Sequence, residues 1–365
     1  MKTNDHHSPT TIVQLIDLHS VDYHHDDDLD HSIFITSLFH KLCKRMRKKQ
    51  RKIFQGNFTL VHTIEQDHAM TPYVLRISYL YNCIMVGNAG DRNYLSLFDL
   101  NTKQHLRNVV LPQLPYYLCV EESNIDHQLV SKNTKHYSNL IIMFEGMMRK
   151  YKLRDLMFSS KDNNEVLKNV ENQQQQLMAT HKDGEESTSP PSAAHLWQID
   201  NMENASSVTI KYSHCPSENI IYTCWKEEIW MIRSENGEKL KALQILNYPT
   251  TNIHCLEYTS RGDIIMCDDN TCYKLREQAD GNWESVLCFG ENSSLMNVVE
   301  VIYEDKSGHS IVCSHSKSNG KIVIFHENGE VFKEYSCDTI SCCVNERNGQ
   351  LIVASHYDHK ICFYC

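Results

Sequence analysis

Ser310-Ile-Val-Cys-Ser-His315, the polar loop Ser316–Gly320 and Lys321-Ile-Val-Ile-Phe325 open a unit that occurs twice in succession. Glu327-Asn-Gly-Glu330 turns the chain into Val331-Phe-Lys-Glu-Tyr335, and Ser341-Cys-Cys-Val-Asn345 follows. The pattern then starts again with Arg347-Asn-Gly349, Gln350-Leu-Ile-Val-Ala354, a second polar loop and Lys360-Ile-Cys-Phe-Tyr364. Short β-branched runs joined by Asn-Gly and polar turns read as hairpin strands.

Working backwards, the same grouping recurs in sets of four strands. Val208–Tyr212, Asn219–Cys224, Glu228–Ile232 and Leu240–Leu246 form one set; Ile253–Tyr258, Asp263–Cys267, Thr271–Leu275 and Trp283–Phe289 form the next. The aliphatic markers of the second strands, Ile221, Ile265, Val312 and Ile352, are spaced by 44, 47 and 40 residues. Four short strands per period of about 40–50 residues mark propeller blades. Met85 and Ile142 extend the markers, giving six blades over residues 57–365. Tyr151–Leu156 is read as the third strand of the second blade, and Leu196–Ile199 as its fourth. The last blade, Ile340–Cys365, supplies three strands, and the orphan run Phe58–Ile64 is expected to be its fourth, closing the ring and removing the open edges. The expected fold is therefore all-β, a six-bladed β-propeller closed by an N-terminal strand.

Val312-Cys-Ser-His-Ser-Lys-Ser-Asn319 with Lys321–Phe325, and Val353-Ala-Ser-His-Tyr-Asp-His-Lys-Ile361 with Phe363, resemble NHL repeats. So does Val86-Gly-Asn-Ala-Gly-Asp-Arg-Asn93 followed by Leu95, Leu97, Phe98 and Asp99. Ser355 and Ser314 stand where that family usually has Asp after Val-Ala. The resemblance implies a platform for protein partners, RNA binding in some members, and in others a ubiquitin ligase with a zinc-binding RING ahead of the propeller. Residues 1–56 contain one cysteine, Cys43, so a RING is not expected here. The four tryptophans precede Gln198, Lys226, Met231 and Glu284, never Asp, which counts against WD40 repeats; the lack of a Gly-Gly pair counts against kelch blades.

Residues 1–31 form a polar tail rich in His and Asp, a poor metal site because a solvated tail lacks fixed geometry. Residues 32–56 carry helical spacing at Phe34, Leu38 and Leu42 behind a Ser32 cap. The second half of that expected helix is basic: Lys41, Lys44, Arg45, Arg47, Lys48, Lys49, Arg51 and Lys52. These eight are the candidate binding residues, for an acidic partner, a nucleic acid, a membrane surface or nuclear import. Residues 159–195, with their Gln run and Ser-Pro-Pro stretch, are expected to be a disordered insertion in the second blade.

Across 365 residues, 41% are hydrophobic and 22% charged, which supports a large core. No apolar run approaches the roughly 20 residues of a spanning helix, and Met1–His7 has no secretory character. A cytoplasmic location is expected, or a nuclear one through the basic cluster. The 15 cysteines, most of them inside apolar strands, then read as reduced core residues. Net charge is −10, and because residues 1–56 are slightly basic the propeller is acidic. That balance disfavours nucleic-acid binding through the disc and leaves the helix alone for RNA.

The reading that follows is an interaction scaffold with an unidentified protein partner, monomeric, with no catalytic residue, cofactor or metal assigned. The enzymatic alternative is a calcium-dependent lactonase or esterase of the six-bladed type, whose ion would need oxygen ligands from several blades; Asp268, Asp269, Glu122 and Asp200 lie near strand ends. Cys362-Phe-Tyr-Cys365 has the outline of a prenylation box but reads better as a strand. Cys342 and Cys343, adjacent on a strand, are expected to be one core and one surface thiol.

Overall fold

The computed structural model describes residues 52–67, 70–90, 93–122, 137–158, 195–213, 215–225, 227–246, 253–291, 295, 297–304, 307–316 and 320–365. The chain enters through β1 (Leu60–Glu65). Blade 1 is β2 (Met70–Ser78), β3 (Cys83–Gly90), β4 (Tyr94–Asp99) and β5 (His105–Val110). Blade 2 is β6 (Tyr117–Glu122), β7 (Ser138–Phe144), β8 (Gly146–Lys152) and, after the short helix α1 (Leu153–Phe158), β9 (His195–Met202). Blade 3 is β10 (Ser206–Lys211), β11 (Ile220–Trp225), β12 (Glu228–Arg233) and β13 (Lys239–Ala242). The two-residue β14 (Ile245–Leu246) pairs in parallel with the outer strand of blade 4, which is β15 (Cys255–Tyr258), β16 (Ile264–Cys267), β17 (Cys272–Glu277) and β18 (Trp283–Phe289). Blade 5 is β19 (Val298–Glu304), β20 (His309–Ser314), β21 (Lys321–Phe325) and β22 (Val331–Ser336). Blade 6 holds β23 (Ser341–Asn345), β24 (Gln350–Ser355) and β25 (Lys360–Tyr364), with β1 as its outer strand in the order β1-β25-β24-β23.

Six antiparallel sheets thus form a closed ring. The innermost strands, β2, β6, β10, β15, β19 and β23, neighbour one another in turn around the axis, with β2 meeting β23. Each blade packs its two faces against the blades before and after it. The second strands are therefore buried on both sides and read as unbroken apolar runs instead of alternating ones. The markers Met85, Ile142, Ile221, Ile265, Val312 and Ile352 are each at most 1% exposed. Every such side chain contributes about 1.5–3 kcal/mol of burial. Six apolar clusters fill the six junctions between blades. Every outermost pair contains a β-bulge, for example at Leu97/Phe98, Lys274/Leu275 and Leu60/His62. A bulge adds local twist, which lets the outer strand swing away from the axis.

The lead-in segment is fixed before β1 begins. The Lys52 amide donates to the Glu346 carbonyl at 2.7 Å, and the Phe54 amide donates to Glu304 Oε1 at 2.7 Å. Phe54 is wholly buried at the blade 5–6 junction, and Phe58 stacks on Tyr335 with ring centroids 4.5 Å apart. Thr59 and Cys365 then exchange both backbone hydrogen bonds. Residues 52–56, placed at the end of the expected basic helix, are extended and irregular; the rest of that helix, the His/Asp-rich tail and residues 159–194 lie outside the described residues.

Three sequence expectations need correction. The strand expected at Tyr151–Leu156 is instead β8 followed by α1: Glu145-Gly146 makes a tight hairpin with Gly146 at φ +74, and Leu153 and Leu156 then bury one face of a helical turn. Cys267 and Cys272 face each other across the β16–β17 hairpin and form a disulfide, so those two are not reduced core thiols. Cys342 and Cys343 do face opposite ways, but both are buried, because an innermost strand has a neighbouring blade on each side. Among the described residues, no helix is long and apolar enough to cross a membrane.

Candidate functional site

All six innermost strands contribute to one central cavity of about 650 Å³. Its shaft is mostly aliphatic, with Ile77, Val120, Ile210, Val301 and Val344 on the wall. Three polar side chains interrupt that wall: Arg76 from blade 1, Thr209 from blade 3 and Glu257 from blade 4. The Arg76 guanidinium is held in a fork by Glu300 of blade 5, with Nη1 to Oε2 at 2.8 Å and Nη2 to Oε1 at 3.0 Å. Nη1 also donates to its neighbour's carbonyl, that of Leu75. Ser341 of blade 6 donates to the same Glu300 carboxylate at 3.0 Å and accepts from the Leu75 amide, so one network ties the consecutive blades 5, 6 and 1. Burial opposes the charge on Arg76, yet Glu300 and, more weakly, Glu257 hold its pKa above the usual value.

One mouth of the cavity lies where the innermost strands end. Tyr79, Tyr212, Tyr258, Ser260, Arg261, Glu304 and Glu346 surround that mouth. Tyr79 is pinned, donating to the Val344 carbonyl and accepting from the Glu346 amide. Tyr212 donates to the Val120 carbonyl at 2.6 Å and keeps 42% of its surface exposed. Arg261 pairs with Glu327. Along the lining, the three carboxylates Glu257, Glu304 and Glu346 stand against Arg76 and Arg261, an excess of one negative charge. A low-dielectric wall strengthens the field of such carboxylates towards a cation.

The opposite mouth is built differently. Tyr117 of blade 2 reaches over to donate to the His254 carbonyl of blade 4 at 3.1 Å, bridging the shaft. Beside it lie Tyr73, Tyr116, His315, His356 and Tyr357, with the His315 and His356 rings 5.6 Å apart and His315 Nδ1 bonded to the Thr339 carbonyl. Ser355 donates to Asp338 Oδ2 at 2.6 Å, and the Tyr357 amide does so at 2.7 Å. Ser355 is therefore the partner of an aspartate from the preceding loop.

The four carboxylates considered for calcium do not converge. Asp268 accepts from the amides of Asn270 and Thr271 in its own turn, and Asp269 pairs with His254 at 2.6 Å. Glu122, at the other end of the ring, accepts from Ser78, Ser138 and the amides of Tyr79 and Leu80. Asp200 lies on the outer strand β9 and accepts from Gln198. Among the described residues, no group of three or more His, Cys, Asp or Glu side chains is arranged to hold a metal. Of the candidate basic residues, Lys52 alone is described; it is exposed at the blade 6 end of the lead-in segment. Lys41, Lys44, Arg45, Arg47, Lys48, Lys49 and Arg51 lie outside the described residues.

The sequence reading missed Arg76 and Glu300, although a signal was present. Each is a lone charge inside an apolar strand, Tyr73-Val-Leu-Arg76-Ile77 and Val298-Val-Glu300-Val301, and a charge there needs a partner. Glu121 and Lys150, each beside a second charge in the sequence (Glu122 and Arg149), are a further buried pair that the lone-charge signal does not mark. They pair at 2.6 Å at the blade 2–3 junction, where Asn139, Asn219 and Ser234 also bond to Glu121.

Comparison with protein-family models and with curated proteins gives no match. Among solved structures, a Bacteroides thetaiotaomicron protein of unknown function superposes with TM-score 0.50 at 10% identity, over 86% of this chain and 74% of that one. The β-propeller domain of Myceliophteria thermophila Cps50 (Swd1) gives TM-score 0.51 at 10% identity, over 84% of this chain and 99% of that one. At that identity the likeness carries the fold alone: with its six sheets and their closure, this chain is a six-bladed β-propeller.

Proposed function

We propose that this protein is an interaction scaffold on an NHL-like propeller, and that its working site is the tyrosine-rimmed mouth of the central cavity. The observation that carries the reading is the composition of that mouth. Tyrosines 79, 212 and 258 surround an aliphatic shaft, and the carboxylates Glu257, Glu304 and Glu346 outnumber the arginines Arg76 and Arg261 along the lining. Aromatic rims over an apolar floor are what protein interfaces use as anchors, since tyrosine offers large area at little entropy cost. The carboxylates select a partner with a protruding Lys or Arg and disfavour an acidic one. The NHL-like part of the reading rests on the resemblance of Val312–Asn319 with Lys321–Phe325, of Val353–Ile361 with Phe363 and of Val86–Asn93, from which Ser314 and Ser355 depart. The basic stretch Lys41–Lys52 is a second contact element in this proposal.

Photo-crosslinking locates the working face. A crosslinkable residue at Ser260, on the rim, is compared with one at Val286 on the outer strand of blade 4. The proposal expects an adduct at Ser260 that excess arginine-rich peptide suppresses, and none at Val286. Adducts at Val286 alone, or at both positions without suppression, would overturn it.

A further inference from the structure

Cys313 and Cys342 belong to different blades, β20 of blade 5 and the innermost strand β23 of blade 6, yet their sulfurs lie 2.8 Å apart. Two thiols merely in contact sit further apart than this, and a disulfide bond is about 2.05 Å long. Less than an ångström of travel therefore separates the pair from a covalent bond. Both side chains are fully buried, in the same apolar cluster as Ile311, Ile322, Val353 and Phe54. Cys342 is also a lining residue of the central cavity, although its side chain is wholly buried, so an oxidant reaches its sulfur when the blade 5–6 junction opens locally.

We propose that Cys313 and Cys342 are a redox site that closes, under a hydroperoxide, into a disulfide bolting blade 5 to blade 6. On such an opening the hydroperoxide transfers its terminal oxygen to Cys342 Sγ. Its O–O bond breaks, leaving a sulfenic acid on Cys342 and releasing water or an alcohol. Cys313 Sγ then attacks the sulfenyl sulfur, the S–O bond breaks, and water leaves with the Cys313 proton. Two thiols lose two hydrogens, and the hydroperoxide takes the two electrons. Cys343, though adjacent in sequence, faces the blade 6–1 junction and is not the partner. Burial raises the Cys342 thiol well above its usual pKa, so the first step is slow and the site responds to sustained oxidant. The bond ties together the two blades on which the lead-in segment is seated, through Phe54 in the same cluster. This inference does not depend on the partner proposed for the cavity mouth.

The test uses the full chain, reduced and then exposed to hydrogen peroxide, alkylated after denaturation and mapped by mass spectrometry without reduction. A peptide joining Cys313 to Cys342, lighter by two hydrogens, is expected, together with a melting midpoint raised by several degrees. Cys342→Ser and, as a second variant, Cys313→Ala should lose both changes. Complete alkylation of both thiols after oxidation, or a link from either one to Cys337 or Cys343, would overturn the proposal. The wild-type peptide map decides the matter even if a variant fails to fold.

Discussion

Ile64, near the start of the ordered ring, sits opposite Ile361, near its end. Around that pair the strand β1 lies antiparallel to β25, and Thr59 and Cys365 extend the ladder by one more pair of backbone hydrogen bonds. Without β1, blade 6 would hold three strands, and the start of the ring would not be joined to its end. The lead-in segment holds this closure in place, because Phe54 anchors it between blades 5 and 6 before the pairing starts.

Phe54→Ala removes that anchor and leaves a cavity at the junction. The expected cost is roughly 3–5 kcal/mol, read as a lower midpoint in urea, with faster proteolysis of residues 52–59. An unchanged midpoint would mean that the segment rests on the ring without holding it.

The seating can be probed from the other side of the contact. Gly349 has φ +75, and a Cβ there would stand 2.5 Å from the Ile53 carbonyl; Gly281 has φ +81 and open space around it. Both glycine-to-alanine changes carry the left-handed backbone cost of about 1–2 kcal/mol. Gly349→Ala should lose about a further 1–3 kcal/mol to the clash. Equal losses in thermal unfolding would place Ile53 away from that turn.

How much of this was legible in the sequence depends on which interactions run along the chain. The blades were readable because each is a local meander, and burial on both faces turns second strands such as Ile311-Val-Cys313 into unbroken apolar runs. The closure followed from counting a missing strand against an orphan one. Tyr151–Leu156 was misjudged because Lys150 looks like a loop residue until its partner Glu121 is known. The cavity mouth was not readable: Tyr79, Tyr212 and Tyr258 come from three blades, and only the ring brings them together.

The buried pair Glu121–Lys150 makes a sharper demand. Lys150→Met leaves a carboxylate without its cation and should cost roughly 3–5 kcal/mol. Adding Glu121→Gln removes the stranded charge, so the double variant should be more stable than the single one in urea. A double variant as unstable as the sum of both changes would show the two residues acting independently.

Acid should loosen the ring in part through two histidines. Burial, with the nearby His315 and His359, holds His356 below its usual pKa despite Asp338; burial and His326 do the same to His309 despite Glu304. The unfolded chain takes up these protons near pH 6.5. The stabilisation is therefore present above that pH and is lost as pH falls towards the folded values. Between about pH 7 and pH 5 the melting midpoint of His309→Gln/His356→Gln should fall less steeply than that of the wild type. Parallel slopes would contradict the assignment.

Fluorescence anisotropy with an arginine-rich and a glutamate-rich peptide of equal length tests the cavity mouth most directly. The wild type should bind the basic peptide and not the acidic one, more weakly as salt is added. Glu257→Lys/Glu346→Lys should weaken that binding by about tenfold or more, while the control Glu284→Lys, on the outer strand of blade 4, leaves it nearly unchanged. Equal affinity in the wild type and the mouth variant, or a preference for the acidic peptide, would contradict the account.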